Sequence, residues 1–128
     1  MIPVGTKGHL EQMVTPELTA ARIGSGLVEV FATPMMIALI EQTCLESVLP
    51  YLADGEGTVG TFVNVAHTAA TPVGMHVWCD SELVETDRRR LVFAVKAYDE
   101  CGPIGEGTHE RFVIDTVKFQ AKINAKNA

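Results

Sequence analysis

Three side chains able to move protons or attack a carbonyl stand where the surrounding pattern does not explain them: Thr33, Glu41 and His67. Glu41 lies in an apolar run that reads as helix. At 100° per residue it shares a face with Pro34, Ile37, Ala38, Cys44, Leu45 and Val48, none of them charged. A carboxylate centred on such a stripe is costly unless it is paired, protonated or set in a cleft. Glu46, by contrast, points toward Gln42 and Thr43 and reads as ordinary solvent-facing charge. His67 ends a strand-like run and opens His67-Thr68-Ala69-Ala70-Thr71-Pro72. A strand end holds an imidazole rigidly against a loop, which suits a general acid or base. Thr33 precedes Pro34, and helix grammar makes it an N-cap. Its hydroxyl would then also lie at the positive end of a helix dipole, where developing negative charge is favoured. Each of the three also has a structural alternative: an exposed or backbone-tied carboxylate, a surface imidazole, and plain capping.

Thr33 and Glu41 are eight residues apart, about 12 Å along one continuous helix. Within such a helix they cannot hydrogen-bond directly, so either Thr33 folds back ahead of the helix or one of the pair faces a partner across a subunit boundary. Gly60, inside a strand pattern, marks a β-bulge or a close approach of ligand to backbone. Arg88-Arg89-Arg90 reads as a solvated hairpin turn, or as a receiver of phosphates. His9 and His76 fall in ordinary strand or edge positions, whereas His109 lies in the polar cluster Gly107-Thr108-His109-Glu110-Arg111 within a buried-looking strand. Nucleophile-elbow, P-loop and dinucleotide fingerprints are absent, and four scattered histidines argue against a metal site.

The elements that must position these groups are legible. Residues 33–49 form the clearest helix, stopped by Pro50, with apolar residues at nearly every angle, so it should be buried along much of its surface. Alternation predicts strands around 59–66, 77–83 and 91–98, and a last one over about 106–114, with turns at 71–74, 86–88 and 101–103. Residues 7–14 read as a strand ended by Thr15-Pro16, residues 17–26 as a connection with one helical turn, and 116–126 as a short amphipathic helix. One greasy helix followed by antiparallel strands is an α+β pattern, satisfied by a curved sheet wrapped around the helix and a second subunit at the sheet edge.

With 128 residues, 47% apolar and 20% charged, the chain fits a single domain over 1–128 with a real core. The net charge of −6 argues against a nucleic-acid binder. Eight of the ten basic residues fall in the second half, so positive charge is concentrated late. Three cysteines without metal-type spacing, and no apolar leader or bilayer-length run, indicate free thiols in a reducing cytoplasm and no membrane partner.

Val30-Phe31-Ala32-Thr33, the helix carrying Glu41, Gly55-Glu56-Gly57, the strand ending in His67-Thr68-Ala69-Ala70-Thr71-Pro72 and Gly107-Thr108-His109-Glu110-Arg111 resemble the fluoroacetyl-CoA thioesterase family over about residues 30–125, with the spacings kept. The resemblance implies a hotdog fold, a long central helix wrapped by a curved antiparallel sheet, assembled as a homodimer or a dimer of dimers. It places the family's catalytic threonine, glutamate and histidine on Thr33, Glu41 and His67, and its acyl-contacting glycine on Gly60. The fluoroacetate-specific member carries phenylalanines in the segment before this motif, whereas residues 17–30 here hold no aromatic side chain. The function expected is hydrolysis of a small or medium acyl-CoA thioester, with no cofactor beyond the substrate's coenzyme A and with its phosphates near Arg88, Arg89, Arg90, Lys118 or Lys122. A non-catalytic acyl binder and a hotdog hydratase or dehydratase are the alternatives.

Overall fold

A single 16-residue helix, α2 (Thr33–Val48), organises the molecule. The computed structural model describes residues 2–127. Around α2 runs one antiparallel sheet of β1 (Lys7–Met13), β2 (Glu56–His67), β3 (His76–Asp87), β4 (Arg90–Asp99) and β5 (Gly102–Asp115). The strand order is β1-β3-β4-β5-β2. A one-turn helix α1 (Ala20–Ile23) precedes α2, and α3 (Thr116–Asn124) follows β5. The wrapped-helix α+β architecture expected from the sequence is therefore present, and the alternating runs were underestimated only in length.

The core forms where the inner side chains of β3 and β4 meet one side of α2. Val77, Cys79, Leu83, Leu91, Phe93 and Ala97 pack against Met36, Leu39, Ile40, Cys44 and Val48, all buried. Gly8 lets β1 approach the helix closely, because a Cβ there would lie 2.9 Å from the Thr43 carbonyl oxygen and 2.8 Å from Ser47 Cβ. Helix burial is narrower than the sequence pattern suggested. Pro34, Ala38, Gln42 and Glu46, at i, i+4 spacing, form an exposed stripe on the single chain.

Edge strand β2 has a similar character. Its middle, Gly60 to Asn64, is exposed, with Phe62 at 48% and Val63 at 38%. A twelve-residue edge strand with exposed apolar side chains and an unpaired backbone is the kind that proteins normally cover or pair. The expected bulge is also here, with the β2–β5 register shifting between Gly60 and Phe62.

Candidate active site

Thr33 is the first residue of α2, but the N-cap is Ala32, and no side chain caps the helix. The capping role that helix grammar assigns to Thr33 is thus not the one it plays. Its Oγ1 instead lies 2.7 Å from His67 Nδ1 at the end of β2. Burial lowers the His67 pKa from its usual 6.5, and a backbone contact with Ala69 partly offsets this. The ring is therefore neutral at pH 7, and with its proton on Nε2 it accepts the Thr33 hydroxyl proton at Nδ1. Nε2 is itself buried with no hydrogen-bond partner among the described residues. Around the pair is a cleft of about 310 Å³, lined by Ala20, Ser25, Val30, Phe31 and the Thr68–Ala70 loop, without a charged side chain.

Glu41 belongs to a second cluster, built around Gly60. A Cβ placed on Gly60 would lie 2.7 Å from Glu41 Oε1 and 3.3 Å from both Arg111 Nη1 and His109 Cε1. Arg111 and His109 occupy alternate positions on the inner face of β5 and are buried despite their polarity. Arg111 donates from Nε to Thr58 Oγ1 (2.8 Å) and from Nη2 to the Thr58 carbonyl (3.1 Å). His109 Nδ1 donates to the Phe62 carbonyl at 2.8 Å, which leaves Nε2 to accept from Arg111 Nη1 at 3.1 Å. Burial lowers the His109 pKa, with the Arg111 charge acting in the same direction. Burial also lowers the Arg111 pKa, and the nearby Glu41 carboxylate opposes that shift. The result is a small polar pocket holding one carboxylate, one guanidinium and a neutral imidazole, with bare backbone at Gly60. The sequence flagged the cluster containing His109 and Arg111 but gave neither a role. Their signal was parity, since polar residues at 109 and 111 share the inward face with Val113.

The missing side chain at Gly60 gives a direct test. Gly60→Ala should displace the Glu41 carboxylate by about an ångström and, if that carboxylate takes part in the reaction, lower kcat/KM by about a hundredfold. Circular dichroism should be unchanged, because the nearest obstruction is a side-chain end rather than backbone.

Other candidates lie elsewhere. Arg88 and Arg89 form the β3–β4 turn, Arg88 with φ +59°, and Arg89 Nη1 donates to the Val113 carbonyl. Arg90 is held by Glu110 through two bonds of 2.9 and 3.2 Å and by Glu85 at 3.0 Å. A cleft of about 330 Å³ gathers Arg89, Lys118 and Lys122 beside Phe112 and Phe119. Cys44, one turn from Glu41, is no rival nucleophile, because burial pushes its thiol up to about 12.

Comparison with known proteins gives the family. Residues 14–117 match the family model described as fluoroacetyl-CoA-specific thioesterase. The fluoroacetyl-CoA thioesterase of Streptantibioticus cattleyicolor is 49% identical over 98 residues, covering 77% of this chain and 70% of that protein. A crystal structure of a threonine-to-serine variant of a fluoroacetyl-CoA thioesterase with acetyl-CoA superposes with a TM-score of 0.94, at 39% identity over 99% of this chain and 100% of that one. A Thermus thermophilus thioesterase superfamily member matches at 32% identity and a TM-score of 0.92, covering 99% and 94%. The molecule is thus a hotdog-fold thioester hydrolase. Within that class, the chain belongs to the fluoroacetyl-CoA-specific thioesterase family.

Proposed function

We propose that the protein hydrolyses short acyl-CoA thioesters, fluoroacetyl-CoA among them, at a site shared between two copies of the chain. The observation that carries this reading is the 2.7 Å contact between Thr33 Oγ1 and His67 Nδ1, a hydroxyl with a neutral base already in place. Thr33 Oγ attacks the thioester carbonyl as its proton passes to His67, and the resulting imidazolium returns that proton to the departing CoA sulfur. Water then attacks the acyl-Thr33 ester as the partner's Glu41 takes one of its protons; the carbonyl–Oγ bond breaks, that proton passes to Thr33 Oγ, and the free acid leaves with the threonine and glutamate restored. Gly60 N–H and Arg111 supply donors for the developing oxyanion. A pocket lined by Glu41, His109 and Arg111 favours a short, polarised acyl group over an alkyl chain, whose burial there would leave charged groups unsolvated.

The two clusters do not converge within one chain. Gly60 and His67 are seven residues apart along β2, about 23 Å in an extended strand. Pairing the open β2 edges of two copies about a two-fold axis runs the strands antiparallel and sends each His67 end toward the partner's Gly60 side. The same contact covers Phe62, Val63 and the exposed α2 stripe. A homodimer is accordingly part of the proposal.

Coenzyme A phosphates fit the cationic end of the sheet, at Arg89, Lys118 and Lys122 and at Arg88 in the adjoining turn, with Arg90 anchoring that turn through its carboxylate partners. Replacing Arg88 and Arg89 with glutamate should raise KM by about tenfold and leave kcat nearly unchanged, the signature of binding shared by ground and transition states. The test of the function is free-thiol release from acetyl-, fluoroacetyl-, longer aliphatic and aromatic acyl-CoAs. Short acyl groups should be preferred. No release from any thioester would overturn the reading in favour of acyl binding without turnover.

A further inference from the structure

Thr33 and His67 come from segments 34 residues apart in sequence, yet their polar atoms meet at 2.7 Å. Each residue stands at the very end of its element. Thr33 starts a helix with no side-chain cap, and His67 is the last residue of an edge strand. Something else must hold them in register, because an error of about an ångström at such a contact costs roughly a hundredfold in rate.

The backbone supplies part of the answer. Phe31 N–H, two residues before Thr33, donates to the Thr71 carbonyl at 2.8 Å, and Val30 bridges to Pro72. On the other side, Thr68 N–H donates to the Ile104 carbonyl at 2.7 Å. Thr71 is therefore the residue that joins the loop leaving His67 to the segment entering Thr33. Its side chain is fully buried, and Oγ1 donates to Asp99 Oδ2 at 2.7 Å. The other Asp99 oxygen accepts from Cys101 N–H at 2.8 Å, which fixes the carboxylate at the β4–β5 turn. At 5% exposure, Asp99 is a carboxylate kept in the interior with both oxygens used.

We infer that the Thr71–Asp99 pair is a positioning device for the reaction, clamping the Thr33 and His67 segments together so that the hydroxyl faces Nδ1. Asp99 touches neither reacting atom and acts only through Thr71. The inference rests on the Thr33–His67 reading of the site. It extends that reading to residues outside it.

The test compares Thr71→Val, which keeps shape but removes the donor, with Thr71→Ser, which restores the hydroxyl, and with the milder Asp99→Asn. Thr71→Val should lower kcat for a short acyl-CoA at least tenfold with KM changed less than twofold. Thr71→Ser should stay within about threefold of the parent, with Asp99→Asn in between. A second readout needs no turnover: the nitrogen NMR signal of His67 Nδ1, which reports whether the Thr33 hydroxyl donates to it. In the same chain the residues lining the cleft around the ring, Ala20, Ser25, Val30, Phe31 and the Thr68–Ala70 loop, carry no titratable side chain, and the proposed dimer adds the partner's Glu41. Loss of alignment should shift the Nδ1 signal toward that of a ring without the hydroxyl in Thr71→Val and not in Thr71→Ser. An unmoved Nδ1 signal in folded Thr71→Val, or in Asp99→Asn if Thr71→Val fails to fold, would overturn the inference. Absence of thioester turnover in the parent protein would overturn the proposed reaction while leaving this signal to decide the clamp.

Discussion

His67→Ala is expected to lower kcat for thioester hydrolysis by about a hundredfold to ten-thousandfold, the range for losing a positioned general acid–base. In the proposed reaction the ring accepts the Thr33 proton and later protonates the leaving sulfur, so its removal would affect both halves of the acylation step. The fold should tolerate the change, since His67 is the terminal residue of β2 and only half-buried. The pH profile separates this role from a structural one. Burial holds the His67 pKa below 6.5, so the parent enzyme keeps its base neutral as pH falls toward that value. Activity should then drop only as pH passes through the lowered pKa, giving an acid limb below 6.5. That limb should disappear from the residual activity of His67→Ala. A variant retaining kcat within threefold, with the acid limb intact, would remove His67 from the mechanism.

The contrast between what the sequence disclosed and what it withheld follows from the range of the interactions. Strands and the helix were legible because their signals are local: alternation around Val77 to Leu83, and Pro34 and Pro50 bracketing α2. Glu41 was legible because an apolar stripe made its charge conspicuous, and Gly60 because a glycine inside a strand pattern asks for a reason. The same local grammar makes Thr33 a cap, and the family resemblance points to its hydroxyl as a reacting group. The structure gives its hydroxyl to His67, a contact across 34 residues that helix rules do not contain. Arg111 and Asp99 were not given roles for a related reason. A buried guanidinium satisfied by Thr58 and His109, and a buried carboxylate satisfied by Thr71 and Cys101 N–H, look in sequence like any charged residue near a strand end or turn. Only the parity of position 111 hinted that its side chain faces inward. Helix burial was overestimated because sequence reports the apolar surface of α2 without saying which element covers it. The exposed stripe at Pro34, Ala38, Gln42 and Glu46 and the open β2 edge are surfaces that the proposed second copy would cover together.

That solution carries the other large prediction. If Thr33 and His67 of one chain act with Glu41 and Gly60 of its partner, His67→Ala and Glu41→Gln homodimers are each nearly inactive because both of their sites are broken. A heterodimer of the two differs. One of its sites receives both substitutions, and the other combines an intact Thr33–His67 pair with an intact Glu41 pocket. Co-expression in equal amounts gives heterodimers as half of the dimers, each with one working site of two, so about a quarter of parental activity should return. Should all the groups act within one chain, the mixture would show only the average of the two defective homodimers, because every chain still carries a lesion. Size-exclusion chromatography on the same samples checks that both variants assemble. In the proposed dimer, the surface that Phe62 and Val63 leave open in the single chain is the one that brings the Glu41 pocket of one copy to the His67 of the other, so assembly should be the condition for activity.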